Sequence, residues 1–290
     1  MVKRKITQIA AAVFMNANLK GFAEGRIYRG DLKKICVPVL NCYSCPGALG
    51  SCPIGALQAV AGSVGYKISL YVIGFLSLIG VLFGRFMCAW LCPFGLVQEL
   101  LHKVPGRKLK VNTKADKALR FAKYGVLFAA VLLLPALLAD QFGLSTPYFC
   151  EFICPAGTLE GGIPLVSSNS SLRDAVGALF SWKMFLLIAT IVFSILVYRP
   201  FCKYACPLGA FYSFFNRISF LRYQVDSEKC TNCGVCAKEC KMNVDPCKNP
   251  NHSECIRCGD CIRACSAKAI QKCFIFTGQA KDAGSGAEAE

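Results

Sequence analysis

Cys230-Thr-Asn-Cys233-Gly-Val-Cys236-Ala-Lys-Glu-Cys240 and Cys255-Ile-Arg-Cys258-Gly-Asp-Cys261-Ile-Arg-Ala-Cys265 share one spacing, C-x2-C-x2-C-x3-C. Three thiolates in such a run wrap one face of a cubane, and the fourth comes from the other run. The spacing therefore assigns Cys230, Cys233, Cys236 and Cys265 to one [4Fe–4S] cluster, and Cys255, Cys258, Cys261 and Cys240 to a second. Zinc is the competing use, but it takes four ligands from widely parted C-x2-C pairs. The proline usual after the fourth cysteine is replaced by Lys241 and Ser266.

Composition sets the frame for the rest. The chain has 290 residues, 54% hydrophobic and 17% charged, with 20 cysteines and a formal net charge of +16. That describes a membrane protein with a small polar module rather than a soluble enzyme or a short disulfide scaffold. Lys and Arg sit beside apolar segments instead of forming one stripe, which argues against nucleic acid. His102 and His252 are isolated, so no haem-type histidine pair exists within the apolar runs, and there is no dinucleotide fingerprint or phosphate loop.

Three apolar runs read as membrane spans: Ile68–Gly84, Tyr124–Ala139 and Met184–Tyr198. Leu172–Trp182 reads as an amphipathic surface segment, and Phe211–Leu221 as the packing between the membrane part and the double cysteine run. Each span is followed by the same motif, C-x3-C-P-x-G: Cys88/Cys92, Cys150/Cys154 and Cys202/Cys206. A relative without the first cysteine, Cys52-Pro-Ile-Gly, closes an early loop that also holds Cys36, Cys42 and Cys45. Such a turn aims two thiolates at one object, and two turns make a four-thiolate cage.

Alternating spans sort the pairs. Cys88, Cys92, Cys202 and Cys206 fall on the side of the double run. Cys150 and Cys154 fall on the opposite side with the early loop, where Cys45 and Cys52 complete the preferred set. Cys36 and Cys42 are alternative ligands there, and disulfides compete for these thiols. Cys247 and Cys273 read as ordinary thiols. The Gly84–Lys123 connection carries Arg85, Lys103, Arg107, Lys108, Lys110, Lys114, Lys117, Arg120 and Lys123, which makes its side cytoplasmic. The basic Met1–Lys5 then requires Ile6–Ala23 to be a short first span.

These motifs resemble the NapH-type membrane ferredoxin family and, more distantly, the membrane iron–sulfur halves of NosR/NirI-type proteins. The resemblance rests on Cys88–Pro93, Cys202–Pro207 and the run Cys230–Cys265. It implies four transmembrane helices, a cytoplasmic two-cluster ferredoxin domain, and electron transfer between the membrane and a reductase partner. Cys36–Cys52 and Cys150–Pro155 depart from the NapH pattern and point to a path through the membrane.

The expected protein is α-helical, with about four transmembrane helices over residues 1–222 and an α+β ferredoxin domain over 223–278. A disordered tail follows at 279–290. Expected cofactors are two [4Fe–4S] clusters in the ferredoxin domain, one at the cytoplasmic membrane face and one iron–sulfur cluster at the outer face. The expected role is single-electron transfer in the cytoplasmic membrane of an anaerobe, within a larger complex. A cytoplasmic low-potential donor and an extracytoplasmic flavin or haem protein, or a quinone, are the expected partners. The alternatives are a quinol-linked subunit and a redox-sensing or metal-centre assembly protein.

Overall fold

Apolar runs bounded by Gly, Pro and charge form the helices, and the cysteine-bearing turns lie between them. The computed structural model describes residues 2–63, 69–109, 113–140 and 145–274. The expected tail 279–290, the last residues of the ferredoxin stretch and Ile68 lie outside the described residues.

Among the described residues, two helices are long and apolar enough to cross a membrane: Lys114–Leu137, of 24 residues, and Ala178–Leu196, of 19. Leu70–Phe83 and Pro53–Gly62 are apolar but shorter. The long helices present Phe121, Phe128, Leu133, Phe185, Ile188 and Val192 outward, which suits lipid rather than water.

The expected boundaries shift for physical reasons. The run Tyr124–Ala139 is only the apolar half of a helix that starts at Thr113. Its polar half stays helical because Asp116, Arg120 and Lys123 face inward and are paired. The helical ladder widens over Leu127–Leu133 just before Pro135, whose ring nitrogen cannot donate. The amphipathic segment Leu172–Trp182 is divided: Ser170–Asp174 is a short helix, Gly177 breaks it, and Trp182 belongs to Ala178–Leu196. The segment Ile6–Ala23 is broken between the helices Val2–Met15 and Leu19–Glu24. There Asn16 donates to the Ala12 carbonyl and to Asn41, and Asn18 donates to the Pro46 carbonyl.

The first helix makes contacts at both of its ends. Near its start Arg4 and Lys5 pair with Glu99, and just past its end Asn16 meets Asn41 in the early cysteine loop. Glu99 also pairs with Arg199 at 2.7 Å and accepts from the Tyr198 hydroxyl at 2.6 Å. Burial opposes its ionisation, but Arg199, Lys5, Tyr198 and Arg4 together hold its carboxyl down at about 2.

The C-terminal module is a two-stranded antiparallel sheet with two short helices. Leu221–Val225 pairs with Ile270–Phe274, from Leu221 opposite Phe274 to Val225 opposite Ile270. The helices Val235–Glu239 and Asp260–Ala264 each follow a glycine in the left-handed region, Gly234 at φ 70° and Gly259 at φ 82°. The helix Pro207–Phe215 sets Phe215 against Gly80, where a Cβ would come within 2.7 Å of the ring. Asn216, which follows it, donates to the carbonyls of His252 and Cys255 at 2.6 and 2.9 Å. Arg257 reaches back to the Phe83 and Asn216 carbonyls, both at 2.7 Å. Glu254 accepts from Arg85 at 2.7 Å and from Lys123. Two cations read from sequence as interfacial charge, Arg85 and Lys123, are thus buried in ion pairs that dock the ferredoxin module.

Candidate iron–sulfur sites

The C-P-x-G turn has one local structure wherever it occurs. The cysteine is the N-cap of a helix and the proline its first residue, where the missing N–H costs nothing. In three of the four turns the N–H of the glycine three residues on donates to the capping sulfur, from Gly95, Gly157 and Gly209, each at 3.4 Å. A helix N-terminus favours negative charge, which offsets part of what burial costs a thiolate at each turn.

The residue six positions after each capping cysteine does a second job. Gln98 accepts the Phe201 N–H at 3.2 Å and donates to the Cys202 sulfur at 3.1 Å. Gln58 does the same, accepting from the Phe149 N–H at 2.9 Å and donating to the Cys150 sulfur at 3.1 Å. Glu160 accepts the Cys42 N–H at 2.7 Å, and the Tyr212 hydroxyl donates to the Pro38 carbonyl at 3.0 Å. The repeat is structural as well as sequential: each amide crosses to the opposite cysteine pair.

Seventeen cysteines gather in four cavities, four in each of three and five in the fourth. Cys230, Cys233, Cys236 and Cys265 line one, and Cys240, Cys255, Cys258 and Cys261 line the second, in the ferredoxin module. Cys88, Cys92, Cys202 and Cys206 line the third, at the ferredoxin end of the helical unit. Cys42, Cys52, Cys150 and Cys154 line the fourth, at the far end. Cys45 is buried but does not line that cavity; Cys42 stands where Cys45 was expected, held by Glu160. Cys36 is also buried, and its backbone bridges to Ser51. Cys247, read as an ordinary thiol, lines the first cavity, with its sulfur 3.3 Å from Cys236 and 3.7 Å from Cys230.

The donor sets fit multi-iron clusters. Among the described residues, no three His, Cys, Asp or Glu close on a single metal ion, whereas four-thiol cavities recur. Burial pushes the Cys42 and Cys52 thiols up to about 12 and Cys150 up to about 11. Such thiols ionise at neutral pH only when a cation takes the thiolate, so loading would release protons. Burial also pushes Glu160 up to about 7, opposed by the Cys42 N–H.

The cavities lie in sequence. The two in the ferredoxin module share a hydrophobic cluster that includes Cys236 and Cys261. Tyr198 and Ile256 line the second cavity and cluster with Ala89, the neighbour of Cys88 in the third, and Trp90 donates to the Arg257 carbonyl at 3.2 Å. Leu40 lines both the third and the fourth, and its carbonyl lies 4.0 Å from the Cys92 sulfur.

Comparison with known proteins agrees with this donor chemistry. A family described as "4Fe-4S binding domain" matches residues 65–112, 124–165 and 179–222, one match for each helix-plus-cysteine repeat. A second family of the same description matches 223–244. Together these matches indicate that the chain binds 4Fe-4S clusters. It is 29% identical to the uncharacterized protein MJ0750 of Methanocaldococcus jannaschii, over 74% of this chain and 82% of that one. It is 27% identical to the methylamine utilization ferredoxin-type protein MauN of Paracoccus denitrificans, over 89% and 82%. It is also 31% identical to the regulatory protein NosR of Stutzerimonas stutzeri, over 62% of this chain but 23% of NosR. No solved structure matches.

Proposed function

We propose that this chain conducts single electrons across a membrane, between a low-potential donor at the ferredoxin module and an acceptor at the far end. Clusters bound in the four cavities supply the electron chemistry. The chain's residues hold the thiolates, exclude water and set the spacing. Cys230, Cys233, Cys236 and Cys265 would hold one cluster, and Cys240, Cys255, Cys258 and Cys261 the next. Cys88, Cys92, Cys202 and Cys206 would hold the third, and Cys42, Cys52, Cys150 and Cys154 the fourth.

One observation carries this reading: Leu40 lines both membrane cavities at once. A hydrocarbon core is about 30 Å thick, a long gap for an electron. The far loop reaches inward so that Leu40 is a lining residue shared by two four-thiol sites. Cys42, two residues on in the chain, lines the far cavity, so a short covalent link joins the sites.

The proposed topology has four crossings, by Val2–Met15, Leu70–Phe83, Lys114–Leu137 and Ala178–Leu196, with the ferredoxin module cytoplasmic. Arg4 at one end of the first helix and Asn16 just past the other support its crossing. At 1.5 Å per residue, 14 residues span about 21 Å, which requires local bilayer thinning. The partners and the NapH-like, quinol-linked alternative are separated by the following test.

Iron and acid-labile sulfide are measured per chain after anaerobic purification, and again for Cys150→Ser/Cys154→Ser. Four cubanes predict about 16 iron atoms, falling to about 12 in the variant. About 12 in both proteins would remove the far cluster and put the quinol-linked role ahead. About 8 would confine clusters to the ferredoxin module and favour a sensing or assembly role.

A further inference from the structure

The four cysteine cavities differ sharply in size. Three enclose about 10–20 Å3, whereas the far cavity encloses about 560 Å3. One kind of cluster does not need both volumes. The far cavity has room for a second, drug-sized group, for which about 300–1,000 Å3 is usual.

The structural repeat explains where the room comes from. Glu99 follows Gln98, and Ala59 follows Gln58. Arg199 stands three residues before Cys202, and Pro147 three before Cys150. In the ferredoxin half, Arg199 and Glu99 form a buried ion pair at 2.7 Å, with the guanidinium packed where a Cβ on Gly95 would lie 3.0 Å away. In the far half the matching residues, Ala59 and Pro147, both line the cavity. At Gly55 the nearest atom to such a Cβ is 3.9 Å away. A salt bridge in one half corresponds to open space in the other.

The lining indicates what the space accepts. Small and apolar residues dominate it, with Tyr43, Ser44, Ser51, Ser145 and Lys183 as polar points; the buried Ser145 hydroxyl has no hydrogen-bond partner among the described residues. Tyr43 and Leu165 also line a neighbouring groove of about 950 Å3, which carries Lys20, Arg26 and Arg29 against one acid, Glu24. An apolar slot opening on a basic groove suits a flat ring with an anionic tail.

We propose that the far cavity binds a flavin nucleotide, its ring beside Ala59 and Pro147 and its phosphate towards Arg26 and Arg29. The proposal rests on the electron-transfer reading above. No His or Met lines either space and the four cysteines are taken by the cluster, which leaves a haem only tyrosine hydroxyls as axial ligands. A nicotinamide exchanges hydride, a two-electron step that one-electron clusters do not match, and a quinone would leave the basic groove unused. The bound ring takes two electrons, delivered singly from the reduced clusters, and two protons from water in the groove, giving the dihydroflavin.

The test uses the full-length, iron-loaded protein in nanodiscs under anaerobic conditions, titrated with flavin mononucleotide, riboflavin and menadione. Saturable quenching of flavin mononucleotide fluorescence is expected, with riboflavin about tenfold weaker because it lacks the phosphate. High salt narrows that difference. Ala59→Phe fills the slot and abolishes the quenching while iron per chain is unchanged. Arg26→Ala/Arg29→Ala weakens the nucleotide to the level of riboflavin. No quenching by protein with full iron content overturns the proposal, as does undiminished binding by Ala59→Phe. Binding of menadione in place of the nucleotide also overturns it. Failure of the underlying reading shows separately, as an iron count that Cys150→Ser/Cys154→Ser does not lower.

Discussion

Gln98 donates to the Cys202 sulfur at 3.1 Å, and Gln58 makes the same contact with Cys150 at the same distance. A donor on a thiolate stabilises the more negative, reduced form of a cluster and so raises its potential. Gln98→Leu and Gln58→Leu should each lower the potential of one cluster only, by on the order of tens of millivolts. Redox titration followed by electron paramagnetic resonance reads the shift, with iron content as the control. A shift of the same cluster by both variants would contradict the assignment of the two glutamines to separate cavities.

Glu254 bridges Arg85 and Lys123, and all three side chains are buried. Removing one partner of such a group leaves charge uncompensated, typically at a cost of about 3–5 kcal/mol. Glu254→Gln should therefore loosen the ferredoxin module from the helices without altering its cysteines. Faster proteolysis near Ser219–Leu221, with the module's two clusters retained, is the expected result. Unchanged protection would mean that Asn216 and Arg257 are sufficient for docking.

Glu99 makes the anchoring of the first helix depend on pH. Its carboxyl is held at about 2, well below the ordinary value near 4.3, because Arg199, Lys5, Tyr198 and Arg4 outweigh its burial. A depressed folded pKa adds stability that is complete above the ordinary value and disappears as pH falls through about 2. A spin label at Val2 should stay immobile at pH 6 and gain mobility progressively below about pH 4. In Glu99→Gln the label should be mobile at both ends of the range. A label that is immobile throughout in the variant would remove Glu99 from this role.

What could be read in the sequence was local, and what could not was tertiary. Both ferredoxin runs, the long apolar runs and the C-x3-C-P-x-G turns are spacings within a few residues, and spacing survives without coordinates. Grouping Cys88 and Cys92 with Cys202 and Cys206 followed from the expected alternation of apolar runs, and the four line one cavity. The choice of Cys42 over Cys45 needed Glu160, far away in the chain. Arg85, Lys123 and Lys203 looked like interfacial charge because their acids, Glu254 and Asp116, lie on other elements. The glutamine six residues after Cys52 and Cys92 was a visible signal, but its contact with the opposite cysteine pair was not.

Cys247 is the thiol whose position was least legible, since Asp245-Pro246-Cys247 belongs to neither run. Its sulfur lies 3.3 Å from that of Cys236, within one cavity, and so is poised to couple when that cavity holds no iron. Chelation of the iron followed by diamide should join Cys236 to Cys247: the two thiols lose two protons and two electrons, and diamide takes both. Mass spectrometry of a proteolytic digest should find that linked peptide pair ahead of any pair through Cys233, which is exposed. Cys247→Ser should abolish the link yet still bind a full complement of iron, because Cys230, Cys233, Cys236 and Cys265 remain. Loss of one cluster in Cys247→Ser would instead make Cys247 a ligand in place of one of those four.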